Sequence, residues 1–384
     1  MSVDQPELQS PENLILSKEK LVSKTWSFTS SSRGVVSPHC KFLISGFVSG
    51  ILGHGACWWE FNANQLFLRD HTDRPTAAFD RFFMDSAGHL SLTGRSLLDA
   101  DLIFILNERA AISEICEDST DVSFISKNRQ SRRRNLVVIR ANETSVHPSW
   151  PIDVRTEDRN WDLCTSFYGD ASSFPMNDFA EYQVLQNKNR KWPAIHKLFH
   201  RNSPLWDYDY FLFPDDDIDM SWGSINRIFD VSRRLNLHLA QPALGAGSYF
   251  SYKITLQNEL FNLRYTNFIE AMIPLFSRFA MEICAPTFAT SHSGWGLDYV
   301  WSYLLGNIPR SIAIIDETPV LHRRPVGNSY DTSAARAEMY RVMAQYGAPI
   351  SQSAFGGLVP SGWRLISSEP VDECLSNPSD KSFR

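Results

Sequence analysis

Cysteine is scarce in this 384-residue sequence, and the six present, Cys40, Cys57, Cys116, Cys164, Cys284 and Cys374, are scattered without a C-x-x-C pair. That excludes a zinc ribbon or a disulfide framework and reads as reduced thiols of a cytosolic protein. Long apolar runs are missing as well. No stretch reaches the ~20 residues of a membrane-spanning helix, and Phe42 to Leu52 is short and broken by glycine. The first 24 residues are polar, with Leu14, Ile15 and Leu16 as their one apolar cluster, and do not read as a signal peptide. Basic excess is also absent: a net charge of -6 argues against a general nucleic-acid binder, although local basic spots can still meet a diphosphate.

What the sequence does have is a hydrophobic run ending in acid. From Tyr208 to Phe213 all but Asp209 are aromatic or aliphatic, which suits a strand buried at the centre of a parallel sheet. Pro214 ends that strand, having no N–H for the ladder. Asp215, Asp216 and Asp217 follow at once, at the sheet edge where open α/β folds bind ligands. Three adjacent carboxylates repel one another and call for a cation. In extended backbone Asp215 and Asp217 point to one side, roughly 6 to 7 Å apart, close enough to share a hard metal ion and its phosphate ligand. The alternative is a solvated turn that caps the helix starting near Ser221.

Four blocks give this pattern a context: Lys191-Trp192-Pro193, Phe213-Pro214-Asp215-Asp216-Asp217, Ala240-Gln241-Pro242-Ala243-Leu244 and Gly294-Trp295-Gly296-Leu297-Asp298. In this order, over about residues 134 to 330, they resemble a family of GT-A-fold, glycosyltransferase-like plant and bacterial proteins of uncharacterised activity. The resemblance implies an α/β fold with a GT-A-type, Rossmann-like mixed sheet flanked by helices. It implies transfer of a sugar from a nucleotide-sugar donor to a carbohydrate or glycolipid acceptor, in surface polysaccharide or glycan synthesis, with Mn2+ or Mg2+ as cofactor. Asp215, Asp217 and His322 would then hold the metal, and Lys191, Asp216 and Arg323 would face the donor. Asp298 would be the base of an inverting reaction, as an acidic residue in a comparable place is in inverting GT-A enzymes. Each of these residues also has a structural reading: an exposed basic turn for Lys191, a helix cap for Asp298, an ordinary buried imidazole for His322.

Two further candidates come from the residues themselves. Trp295, between two glycines, offers a flat apolar face to a sugar ring. Glu270, inside the apolar run Phe268 to Met272, needs a partner if buried, which makes it either an acceptor contact or a structural hydrogen-bonding group.

The organisation expected along the chain is a loosely ordered lead (1-35), a small, mostly antiparallel β accessory domain (36-110), a charged linker (111-133), the GT-A-like domain (134-350) and an irregular tail (351-384). In the accessory domain β-like runs at Lys41 to Val48, Cys57 to Phe61, Gln65 to Arg69, Ala77 to Met84, His89 to Thr93 and Leu102 to Leu106 are separated by turn signals. Their aromatics, among them Trp58, Trp59, Phe79, Phe82 and Phe83, form either a core or a sugar-binding face. In the larger domain strands are expected at Asn135 to Arg140, Trp161 to Tyr168, Phe268 to Met272 and Ile312 to Ile315. Helices are expected from Pro193, from Ser221, from Pro274 to Ile283 and over 331 to 347. Localisation is expected in the cytoplasm, with peripheral contact at the inner face of the membrane.

Two rival functions remain. A sugar-nucleotide pyrophosphorylase expects a glycine-rich loop after the first strand, and Ala141 to Pro151 has no glycine. A non-catalytic carbohydrate-binding or scaffold protein could keep the fold, but an unused acidic cluster is a stability liability.

Overall fold

The structure, a computed structural model, describes residues 16–52, 55–112, 114–117, 122–129, 132–150, 153–173, 179–186, 188–306, 308–325, 331–360 and 364–366. Two compact units are present: one holds the chain up to Ile112 with short returns at 307–309 and 344–347, and the other holds the rest.

In the first unit a short helix, α1 (Lys18–Val22), precedes eight strands: β1 (Thr25–Ser30), β2 (Gly34–Phe42), β3 (Val48–Ser49), β4 (Trp58–Asn62), β5 (Gln65–Arg69), β6 (Pro75–Met84), β7 (Leu90–Ser96) and β8 (Ile103–Arg109). All pair antiparallel, in the order β3-β2-β1-β8-β7-β6-β5-β4. The two end strands also meet, through a Phe47–Trp58 bridge and a Trp59 N–H donating to Gly46 O at 2.7 Å, so the sheet closes on itself and leaves few open edges. Apolar side chains alternate along the strands: Trp26 and Phe28 of β1 and Leu90 and Leu92 of β7 are buried in the core. Phe79 and Phe82 both point inward although three apart, because the register shifts between Phe79 and Arg81. Of the aromatics considered for a sugar-binding face, Trp59, Phe79 and Phe82 are buried in this core, while Phe83 is 41% exposed.

Several expectations are corrected here. Lys41 to Val48 is not one strand: β2 ends at Phe42, and the chain turns before β3, with Gly46 at a positive φ of 87°. The lead is not loosely ordered throughout, since α1, β1 and the start of β2 lie before residue 36; residues 1–15 fall outside the described ones.

The second unit carries a mixed sheet built from β9 (Ser123–Lys127), β10 (Asn135–Ala141), β11 (Trp161–Phe167), β12 (Tyr182–Leu185), β13 (Tyr210–Leu212), β14 (Ile218–Asp219), β15 (Leu239–Leu244), β16 (Leu263–Thr266), β17 (Leu275–Ser277), β18 (Ile312–His322), β19 (Ala354–Val359) and β20 (Arg364–Ile366). The order is β20-β19-β16-β18-β15-β17-β13-β10-β11-β12-β9, with β14 paired to β18 beside it. β10 is parallel to β11 and β13, and β15 is parallel to β18, whereas β17 runs antiparallel between β13 and β15. Every residue of β10 and β11 is buried, as suits central strands covered on both faces.

Among the described residues the α-helices that begin in this unit are α2 (Lys191–Leu198), α3 (Trp222–Arg234), α4 (Arg278–Cys284), α5 (Leu297–Leu305) and α6 (Thr332–Tyr346). Ser221 caps α3, its hydroxyl accepting from Ser224 N, and Ile225, Ile228 and Phe229 face the core. Truncating Phe229 to alanine would cost about 3–5 kcal/mol. Ser232, the polar member of that face, is satisfied by donating to Ile228 O at 2.8 Å.

The expected strand Phe268 to Met272 is absent: those residues form a turn-like connection, the strand is β17, and the helix expected from Pro274 begins at Arg278. The expected linker holds β9, which pairs with β12 at the sheet edge. The expected irregular tail holds β19 and β20, and residues 367–384 fall outside the described ones.

Candidate active site

Three backbone connections bring distant segments to the end of β13. The Asp215 N–H donates to Met272 O at 2.9 Å, so the turn carrying Glu270 runs beside the acidic triplet. The Val146 N–H donates to Asp216 O at 2.8 Å and docks the loop that follows β10. Pairing of β14 with β18 sets Ile218 opposite His322. These segments, the loop before α5 and the start of α6 surround a cavity of about 920 Å³, a size suited to a small-molecule ligand. Asp215, Asp216, Asp217, Glu270, Trp295, Asp298, His322 and Lys191 all line it; Arg323 does not.

The acidic triplet is charge-balanced by the protein itself. Asp215 Oδ1 accepts from Lys191 Nζ at 2.6 Å. Asp216 Oδ1 accepts from Arg324 Nη1 at 3.3 Å, and its Oδ2 lies 3.3 Å from both the Ser145 and Tyr168 hydroxyls. Asp217 Oδ2 lies 3.2 Å from His322 Nε2. His322 Nδ1 lies 2.8 Å from Tyr249 O, which orients the ring so that Nε2 faces the carboxylate. Burial disfavours the imidazolium, but the hydrogen bond and charge of Asp217 outweigh it and raise the His322 pKa above its ordinary value.

Lys191 and Arg323 are otherwise engaged. Besides Asp215, Lys191 Nζ meets the carbonyls of Phe213, Met272 and Ala271 at 2.8, 2.9 and 3.1 Å, so the ammonium staples the end of β13 to the 271–272 turn. Arg323 grips Asp219 through Nε at 2.9 Å and through Nη2. The next residue, Arg324, faces the cavity. Arg190, at the N-cap of α2, also lines it, is exposed, and has no ion-pair partner among the described residues.

The other wall is different in kind. Asp298 is buried on the first turn of α5, where its Oδ1 accepts from the Gly296 and Tyr299 N–H groups at 3.1 Å each. Burial raises its pKa from 3.8 to about 7. Glu270 is buried, its Oε2 has no hydrogen-bond partner among the described residues, and burial together with the charge of Asp298 raises its pKa to about 8. Trp295 sits between Gly294 and Gly296, whose φ values are 87° and 92°. Close packing also requires these glycines: an added Cβ would meet Trp192 Cδ1 at 2.9 Å at position 294, and Met339 O at 2.9 Å at position 296.

Among the described residues no three His, Cys, Asp or Glu side chains form a ready metal-binding group. Asp217 and His322 nevertheless offer an O,N donor pair of the kind manganese accepts, and Mg2+ and Mn2+ sites commonly use one or two protein ligands and leave the rest of the shell to substrate phosphates and water. No described helix is long and apolar enough to cross a membrane, and the described cysteines form no disulfide.

The fold and site define a two-unit protein with an antiparallel β unit and a mixed α/β unit that carries an acid-lined cavity. No family model and no curated protein matches the chain. Among solved structures it is similar to S. aureus TarS 1–349 in complex with UDP-GlcNAc, with TM-score 0.37 and 8% identity over 55% of this chain and 66% of that chain. A second structure of TarS 1–349 gives TM-score 0.35 and 5% identity over 55% of this chain and 71% of that one. The chain thus spans just under two thirds of the first TarS chain, and a likeness this low carries no argument about fold or function.

Proposed function

We propose that this protein is a GT-A-like glycosyltransferase that moves a sugar from a nucleotide-sugar donor to a hydroxyl of a carbohydrate acceptor, with Mn2+ or Mg2+ held by Asp217 and His322. The observation that carries this reading is one cavity with an oriented carboxylate–imidazole pair on one wall and a buried carboxyl of near-neutral pKa, Asp298, on the other. A bound divalent ion would offset the charge that develops on the departing diphosphate. Asp215, held by Lys191, and Asp216, held by Arg324, complete the acidic edge, and Arg190, without an ion-pair partner among the described residues, would meet the diphosphate. Trp295 gives the acceptor sugar an apolar face, and Glu270 offers its unused oxygen to a sugar hydroxyl.

Asp298 takes the proton of the attacking acceptor hydroxyl. The oxygen's electron pair forms the new bond to the anomeric carbon as the bond from that carbon to the diphosphate oxygen breaks, and the diphosphate leaves with that pair. A single displacement inverts the anomeric centre. Two buried carboxyls with no ion-pair partner among the described residues speak against a purely binding role, because a binder has no use for the cost of burying them.

The test is turnover of a donor panel that includes UDP-GlcNAc, the molecule bound in one TarS structure, with manganese and simple sugar acceptors, followed by NMR of the product's anomeric proton. An α-linked donor giving a β-linked product is the expected result. A retained configuration removes Asp298 from the base role, and binding of donors without turnover, insensitive to chelator, removes the enzyme reading.

A further inference from the structure

The loop that presents Trp295 to the cavity is held by a helix lying outside the four sequence blocks. Glu338 of α6 turns its carboxylate onto residues 291–293: Oε1 accepts from the His292 N–H at 2.9 Å, and Oε2 accepts from the Ser293 N–H at 2.8 Å and from the Ser293 hydroxyl at 2.6 Å. The Ser291 hydroxyl lies 3.2 Å from both Glu338 Oε2 and Trp295 O, so its single proton serves one of them at a time. The grip extends to Trp295 itself, because the Ser293 oxygen whose proton goes to Glu338 accepts in turn from the Trp295 N–H at 3.2 Å. Arg341, three residues further along α6, donates to Thr290 O at 2.9 Å and fixes the start of the same loop.

Such a hold has a reason in the backbone. Trp295 stands between Gly294 and Gly296, both in the left-handed region, and glycine has the most conformational freedom to lose on ordering. Without outside bonds the indole would share that freedom. With them it is half-buried against the cluster of Phe268, Tyr299, Met339 and Met343, two of which belong to α6. The same helix faces the cavity through its first turns: Ala334, Ala335 and Glu338, with Asp331 just before the helix, line it at the three- and four-residue spacing of one helical face. Ala335 is buried and Ala334 is exposed, so at position 334 the wall is a single methyl group.

We propose that the first half of α6 is a specificity wall for the acceptor: Glu338 is a positioning residue that sets the Trp295 face against which the acceptor sugar lies, and Ala334 bounds the room available to that acceptor. The inference rests on Trp295 being the acceptor contact of the proposed transfer. It assigns a role to a helix that the donor and metal residues do not use.

Two variants of the full chain test it. Glu338→Gln keeps the length of the side chain but leaves one acceptor oxygen for two N–H groups. Ala334→Leu adds bulk at an exposed position in a residue that favours helix. With methyl mono- and disaccharides as acceptors, Glu338→Gln should raise the acceptor KM about tenfold, more than it lowers kcat, while the melting shift given by a nucleoside diphosphate with manganese is held. Ala334→Leu should raise KM for the disaccharides more than for the monosaccharides, again with the diphosphate response held. Saturation-transfer NMR of the same glycosides reads their binding without turnover. Unchanged acceptor KM and sugar binding in both folded variants overturn the proposal, and so does a Glu338→Gln that loses diphosphate and sugar together, the mark of a general structural role. If Glu338→Gln fails to fold, Ala334→Leu decides alone. Sugar binding that weakens in the variants of a protein without turnover leaves the wall standing and removes the transfer reading, whereas a parent that neither binds nor turns over any glycoside of the panel overturns the wall.

Discussion

The two acidic walls of the cavity solve the problem of buried charge in opposite ways. Along 215–219 each carboxylate has its own cation: Lys191 for Asp215, Arg324 for Asp216, His322 for Asp217 and Arg323 for Asp219. Across the cavity Asp298 is held by backbone donors, and Glu270 Oε2 has no hydrogen-bond partner among the described residues. Paired carboxylates are rigid and ready to hold a charged ligand. Unpaired ones keep their affinity for protons and can exchange them near neutral pH. The contrast also corrects the sequence argument for a metal. Protein cations already offset the triplet, so repulsion alone does not demand an ion, and the case rests on the Asp217–His322 pair.

The largest effect is expected where the contrast is removed on the paired side. Asp217→Asn should lower turnover about a thousandfold or more while the protein stays folded, measured with the best donor of the panel. Asp298→Asn breaks the other wall: kcat should fall about 10²–10⁴-fold with donor affinity held, since the group meets the acceptor hydroxyl. The same variant should be more stable than the parent at pH 8. With the folded pKa of Asp298 raised from 3.8 to about 7, the stability belonging to its protonated form is complete below the unfolded value and lost as pH rises through the folded one. Neutralising the side chain should recover up to a few kcal/mol at pH 8, read by denaturant melts at pH 4 and pH 8, with the gain confined to the higher pH.

The pH profile sharpens the comparison further. The rate should rise with pH along a limb near 7 as Asp298 ionises. Manganese affinity should rise with pH for a separate reason, because the proton that Asp217 helps hold on His322 must leave before Nε2 can bind a metal. Calorimetry in buffers of different ionisation enthalpy would count that proton. The smallest effect is expected at Arg190, where Arg190→Gln should raise the donor KM about tenfold and leave kcat near its parent value, the mark of binding shared by ground and transition states.

Local pattern made part of the site legible in the sequence and left the rest obscure. The buried run of β10, the cap at Ser221 and the placement of Asp298 on a helix's first turn follow from periodicity and capping, which act over a few residues. The cations are another matter: Arg324 lies 108 residues from Asp216, and no spacing rule joins them. Glu270 read as part of a strand because Phe268 to Phe276 is almost uniformly apolar, so it marks burial without marking period. β16 was obscured by Arg264, a charge inside a strand that only its bidentate partner, Asp316 of β18 at 2.9 Å, explains. The order of Ser351 and Ser353 in the expected tail is hidden for a similar reason: it comes from Thr266 and Asn267, far upstream.

In the proposed function Asp217 and His322 hold a divalent ion that ties a nucleotide diphosphate into the cavity. Thermal melting of the protein with a panel of nucleoside diphosphates, with and without manganese, tests it most directly, because a ligand that binds only the folded state raises the melting temperature. At least one diphosphate should raise it with manganese present and not in chelator, and Asp217→Asn should lose the response. A diphosphate that stabilises the protein equally in chelator, or a manganese-dependent rise that survives in Asp217→Asn, would contradict it.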